Sequence, residues 1–240
     1  MSREDARQLA RAAADGATSL SKAGVRRPSP GRRAAGPLYS GRLASAFAFA
    51  AQRHETQLRK ATRIPYLTHL MAVAALVGEH GGTEDEMIAA LLHDTVEDTG
   101  GGPVLDEIRR LFGPAVARLV EGCTDDAPLD PDEKAPWLER KTRYLSRICD
   151  EPASVLRISA ADKVHNLRTI VEDLRRDGPA VLERFNGGRD GVLWYHRSLC
   201  DIFCALATEP EVDAGLRRLC DLLRREYGWL EAELAARSQC

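Results

Sequence analysis

At 240 residues with 44% hydrophobic content, the chain has enough material for one well-buried core and is an ordinary globular composition. A net charge of −2 argues against a general nucleic-acid binder, which carries a basic excess over its whole length, so any polyanion site must be a local concentration of Arg and Lys. No apolar run approaches the ~20 residues of a membrane span, and none follows the early charges as in a secretion signal, so a cytoplasmic protein is expected.

Residues 1–40 are rich in Ala, Arg, Gly, Ser and Pro, and the stretch from Arg3 to Arg42 holds nine basic residues against three acidic ones. That composition predicts a weakly ordered basic arm, a solvated tail rather than a docking element. From there on apolar residues recur at three and four, which predicts helices over 43–60, 66–80 and 84–94. Arg59 and Lys60 close the first, and His69 falls near the first turn of the second. Thr83 followed by Glu86 has the pattern of a capping box, so the third starts there and ends at His93-Asp94, with Glu97 and Asp98 within one further turn. Further helices are predicted over 104–111, 114–122, 133–149, 153–176, 189–207 and 211–237, punctuated by Gly and Pro pairs. Asp162, Asn166 and Thr169 share one face of the helix over 153–176. β-branched alternation is nearly absent. The expectation is an all-α domain over residues 41–210, with a C-terminal helix in 211–240 packed on it.

The chemistry is concentrated in few residues. Two imidazoles (His69, His93) and two carboxylates (Asp94, Asp162) from three helices form a mixed N/O set that suits Mn²⁺, Fe²⁺ or Zn²⁺. Without a cation or a proton to move, such groups would repel and desolvate badly. A bound metal lowers the pKa of water toward ~7, and a neighbouring carboxylate can take the proton. Negative charge developing on a leaving group needs positive charge nearby, for which Arg140, Lys141 and Arg143 are candidates; their plainer reading is a solvated face pairing with Glu133 and Glu139. Singly, His69 reads as a core or cap histidine and Asp162 as a partner of Lys163 or Arg168, so the metal reading rests on their joint occurrence. His165 is expected to be structural or to support a ligand, Tyr66 to wall the site or pack beside Pro65, Trp194 and Tyr195 to be core, and His54 and His80 to be exposed. The six cysteines lack CxxC pairs and read as ordinary thiols.

These motifs resemble the HD superfamily of metal-dependent phosphohydrolases, and within it the hydrolase domain of the RelA/SpoT alarmone enzymes and the stand-alone small alarmone hydrolases. The matching stretches are Leu58-Arg59-Lys60, Pro65-Tyr66-Leu67-Thr68-His69, Ala90 to Thr99 with its HDxxED pattern, Val120-Glu121-Gly122, and Ala161 to Thr169 with its ADKxHNxRT pattern. The resemblance implies an HD-domain helical bundle and one Mn²⁺, ahead of Fe²⁺ or Zn²⁺, on His69, His93, Asp94 and Asp162. It implies a water-activating pair in Glu97 and Asp98, and nucleotide contacts through Arg59, Lys60, Asn166 and Thr169. The implied reaction removes the 3′-pyrophosphate of ppGpp or pppGpp to leave GDP or GTP. Alternatives are a ppApp hydrolase, an NADPH 2′-phosphatase, another nucleotide phosphohydrolase, or a sensor without turnover. The partner is thus a small nucleotide rather than nucleic acid or a membrane. Leu70 replaces the usual proline after the histidine, Thr62-Arg63-Ile64 replaces a more Gly-rich turn, and 125–137 does not match closely.

Overall fold

The computed structural model describes residues 38–125, 135–210 and 212–237; the basic arm and most of the Asp/Pro-rich stretch lie outside them. Ten α-helices follow one another among the described residues: α1 Gly41–Arg53, α2 Leu67–Glu79, α3 Glu84–Leu92, α4 Thr95–Thr99, α5 Gly101–Phe112, α6 Pro114–Cys123, α7 Trp137–Ile148, α8 Ala153–Asp177, α9 Gly188–Leu206 and α10 Ala214–Arg237, with a 3₁₀ turn at Pro179–Arg184. The class is all-α, and no helix among the described residues is long and apolar enough to cross a membrane.

α8 is the organising element. Its apolar positions are buried through six turns, among them Ile158, Leu167 and Leu174. α2 and α3 pack together against it, contributing Leu70, Val73, Val77, Ile88 and Leu92, all fully buried. On its other side lies α10, tied by Arg168 to Glu226 at 2.8 Å and Arg175 to Glu233 at 2.7 Å. Arg157 on α8 meets Glu86 of α3 at 3.0 Å and donates to the His80 carbonyl at 2.9 Å, joining α2, α3 and α8 below the surface. Residues from Tyr39 onward form one compact unit.

The capping box is present: Thr83 N–H donates to Glu86 Oε2 at 2.7 Å, and Glu86 N–H to Thr83 Oγ1 at 3.3 Å. Two boundaries differ from the sequence reading. The helix predicted over 43–60 stops at Arg53, because His54 leaves helical geometry and turns its ring inward. The chain then folds into a loop closed by Arg59 N–H to Ile64 O at 2.8 Å and Tyr66 N–H to Gln57 O at 2.9 Å. Arg59 and Lys60 therefore sit on a turn, with Ala61 in the left-handed region at φ 55°. The helix predicted over 84–94 ends at Leu92, and Thr95–Thr99 forms a separate turn, so His93 and Asp94 sit at the break between two helices.

α7 rests on the start of α9 through Trp137. A Cβ placed on Gly187 would lie 2.7 Å from the indole, and one on Gly191 3.0 Å, so the absence of side chains at both leaves room for the indole of Trp137.

Candidate active site

Three helical segments deliver four side chains to one point. His69 is the third residue of α2, His93-Asp94 is the break between α3 and α4, and Asp162 lies midway along α8. Both imidazoles are almost completely buried. His93 Nδ1 lies 2.8 Å from the Ala90 carbonyl, which can only accept, so Nδ1 carries the hydrogen and Nε2 offers its lone pair inward. Around the two Nε2 atoms stand Asp94 Oδ2, 3.0 Å from His93 and 3.7 Å from His69, and Asp162 Oδ1, 3.2 Å from His69 and 3.7 Å from His93.

These short separations are not hydrogen bonds. His69 Nε2 and His93 Nε2 are buried polar atoms without a hydrogen-bond partner, although carboxylate oxygens stand 3.0 to 3.7 Å away. Two orphaned imidazole nitrogens facing two carboxylates fit a divalent cation held in common; the ligand atoms of His69, His93 and Asp94 all lie within 4.8 Å of one another. In the protein alone, burial lowers the His93 pKa, but Asp94 and Asp162 outweigh it and raise the ring well above its ordinary value. A cation supplies that positive charge in place of the proton.

Each carboxylate is held from outside. Asp94 Oδ2 accepts from Tyr66 Oη, and Asp162 accepts from Asn166 Nδ2 at 2.6 Å and from Lys163 Nζ. Lys163 and Tyr66 line the wall of a cavity of about 170 Å³ that also exposes Glu97, Asp98 and Asp125 to the cluster. Glu97 is raised to about 7, first by burial and then by the charges of Asp125 and Asp94. Burial pushes Asp125 up as well, but Lys141 and its hydrogen bonds bring it down to about 2. Arg140 links the two acids, 2.7 Å from Asp125 and 3.4 Å from Glu97. On the other side, Gln57 Nε2 donates to Asp98 Oδ2 at 2.9 Å, and His54 anchors Gln57 while stacking on Tyr66 and meeting Thr95 Oγ1 at 3.2 Å.

A second cavity of about 600 Å³ adjoins the first, sharing Tyr66, Lys141, Lys163, Asn166 and Tyr195. In its wall Arg59 Nη2 donates to Asn166 Oδ1 at 2.9 Å and Thr169 Oγ1 at 3.2 Å, and Lys60 Nζ to Asn186 Oδ1 at 2.6 Å. Arg59 and Lys60 thus bond neutral groups, whereas Arg176 and Arg184 in the same wall hold Asp173. The Lys60 pKa is lowered, first by burial and then by nearby Arg184, which marks this end as electropositive. Trp137, Phe185 and Val192 supply apolar wall between the basic groups. Basic side chains outnumber the two acidic ones, Glu172 and Asp173, in this lining, so it suits a ligand that carries both anionic and apolar parts.

A family model described as HD domain matches residues 46–193. The chain belongs to the HD-domain family. The "GTP pyrophosphokinase rsh" of Brucella suis is 38% identical over 195 residues, which cover 79% of this chain and 26% of that protein. The chain therefore spans about a quarter of the length of the rsh relatives. MESH1 proteins, named guanosine-3′,5′-bis(diphosphate) 3′-pyrophosphohydrolases, are 40% identical over 140 residues in mouse and human, covering 57% of this chain and 72% of each relative. Among solved structures, "A metazoan ortholog of SpoT hydrolyzes ppGpp and plays a role in starvation responses" superposes with TM-score 0.62 and 28% identity, over 82% of this chain and 99% of that one. A Listeria monocytogenes EGD-e structure gives TM-score 0.54 and 27% identity over 67% and 99%.

In this HD-domain protein the predicted ligands His69, His93, Asp94 and Asp162 converge, Glu97 and Asp98 border them, and Arg59, Lys60, Asn166, Thr169 and Lys141 line the adjoining cavity. Arg140 differs from the expectation. It is buried, its guanidinium holds Asp125, Glu97 and the Ala135 carbonyl, and it lines neither cavity. It supports Glu97 rather than facing a ligand. His54, expected to be exposed, is 3% exposed and braces the site through Gln57; His80 is half-buried against the Leu76 carbonyl. Sequence reasoning also missed Gln57 and Asp125. The three-residue spacing from His54 to Gln57 was a signal, hidden because both were read as part of a helix.

Proposed function

We propose that this protein is a Mn²⁺-dependent hydrolase that removes the 3′-pyrophosphate of guanosine alarmones, ppGpp or pppGpp, leaving GDP or GTP. The observation that carries the reading is the pair of buried, unpartnered imidazole nitrogens facing two carboxylates, at the inner end of a nucleotide-sized cavity. The relation to MESH1 supports the substrate class. His69, His93, Asp94 and Asp162 would hold the ion, and when bound it lowers the pKa of water toward ~7 and polarises the phosphoryl oxygens.

The chain's own residues supply the rest. In the reaction water adds to the phosphorus on the ribose 3′-oxygen, that P–O bond breaks, and the 3′-oxygen gains a proton. Glu97, raised to about 7 in the protein alone by burial and by the charges of Asp125 and Asp94, borders the cluster where it can take a proton from water and return one. Asp98, fixed by Gln57, orients the water. Lys141 and Lys163, common to both cavities, stand where the pyrophosphate charge concentrates. Arg59 and Lys60 bind the nucleotide's other anionic end, with Asn166 and Thr169 holding Arg59 in place.

The test is product release from ppGpp, ppApp and NADPH offered separately with Mn²⁺, Fe²⁺ or Zn²⁺. Pyrophosphate from ppGpp, fastest with Mn²⁺ and abolished by Asp94→Ala, is the expected result. Preference for ppApp would move the base assignment, phosphate from NADPH would move the enzyme to a phosphatase, and metal and nucleotide binding without turnover would make it a sensor.

A further inference from the structure

His69 Nδ1 and His165 Nδ1 lie 2.8 Å apart, with the two rings tilted by 46°. One nitrogen must carry a hydrogen and the other a lone pair. The opposite edge of His69 decides which. Its Nε2 is buried, orphaned and between Asp162 and Asp94, so a cation there takes the Nε2 lone pair and leaves the hydrogen on Nδ1. His165 Nδ1 must then accept, and a neutral His165 carries its own hydrogen on Nε2.

That placement matters because of what His165 is. His93, the other imidazole of the cluster, is steadied by the Ala90 carbonyl, where the hydrogen-bond chain ends. His69 is steadied by an imidazole, which has a second hydrogen-bonding edge, and His165 is half-buried in the wall of the larger cavity. We propose that His165 is a positioning residue that links the two cavities: it accepts from His69 and thereby fixes that ligand for the cation, and it consequently offers an Nε2–H donor to the uncharged part of the nucleotide. Metal and nucleotide then favour each other's binding, and by linkage they do so reciprocally. The inference rests on the proposed metal-dependent nucleotide hydrolase.

Asn and Gln separate the two duties. In place of histidine, an Asn amide oxygen overlies Nδ1, and a Gln amide nitrogen overlies Nε2. The experiment measures Mn²⁺ affinity by calorimetry and KM and kcat for ppGpp at saturating Mn²⁺, in the wild type and in His165→Asn, His165→Gln and His165→Phe. His165→Phe is expected to weaken Mn²⁺ binding about 10- to 100-fold, and to raise KM about 5- to 10-fold with kcat within about twofold. His165→Asn should recover the Mn²⁺ affinity but keep the raised KM; His165→Gln should do the reverse. An unchanged Mn²⁺ affinity in His165→Phe overturns the proposal, as does Asn and Gln behaving alike. A wild type that binds no Mn²⁺ or turns over no nucleotide overturns the underlying functional reading instead.

Discussion

His196 on α9 offers a sharp test of how burial is tolerated in this fold. Both ring nitrogens are buried without a hydrogen-bond partner. Burial above all, and then the nearby Lys163, lowers its pKa from an ordinary 6.5 to about 3. The sign follows directly: below pH 6.5 the unfolded chain takes up a proton that the folded chain refuses until about pH 3. Stability conferred by the neutral ring is thus complete above pH 6.5 and falls with pH across that window, at about 1.4 kcal/mol per pH unit. Between pH 6.5 and 4.5 the loss amounts to about 2–3 kcal/mol. His196→Leu removes the titrating group and the orphaned polar atoms together, so the variant should be the more stable protein and the less pH-sensitive one. Urea midpoints at pH 7, 6, 5 and 4.5 measure this, and metal-ligand contributions cancel in the difference between the two proteins. Parallel stability curves would show that folded His196 accepts a proton, and the reasoning from its missing partners would be wrong.

Three further outcomes follow from side chains bordering the site. Asp125→Asn removes a negative charge beside Glu97, so the Glu97 pKa should fall from about 7 and the acidic limb of the kcat profile should move to lower pH; an unmoved limb would exclude Glu97 as the group observed. Gln57→Leu deletes the amide that donates to Asp98 and leaves the buried His54 Nδ1 without its partner, so kcat should drop about tenfold and stability should fall by about 1–3 kcal/mol in urea denaturation. If turnover survives intact, Asp98 does not need that restraint. Arg157→Leu leaves Glu86 buried without its guanidinium, which should cost about 3–5 kcal/mol of stability by urea denaturation. A loss below about 1 kcal/mol would mean that the Thr83 backbone alone satisfies Glu86.

The cluster of His69, His93, Asp94 and Asp162 and most of the cavity wall were legible because they are written as short-range spacings on helices. His93-Asp94 with Glu97-Asp98, and Asp162 with Asn166 and Thr169, each place several functional groups on neighbouring turns. The loop after Arg53 was not legible: Leu58 and Pro65 meet by a turn whose hinge, Ala61, is an alanine in a conformation usually marked by glycine. His54 was expected in solvent because no partner pattern marked it, whereas the loop brings it to Gln57 and Thr95. Arg140 failed for a different reason. Its burial is set by Asp125, 15 positions away, at the edge of a stretch without helical periodicity, so nothing in its own helix distinguished it from an exposed basic residue.

The contact of Trp137 with Gly187 and Gly191 has a consequence for how this scaffold can change its ligands. Trp137 opens the helix that carries Lys141, and its indole fills the room left by two missing methyl groups. Adding either methyl would press on the outer ring of the indole, so Trp137, which lines the larger cavity at the start of the helix carrying Lys141, would have to shift. The wall of the larger cavity at Trp137 is thus set from two glycines on the neighbouring helix start, and a side chain at either would reshape that wall without touching the cluster of His69, His93, Asp94 and Asp162.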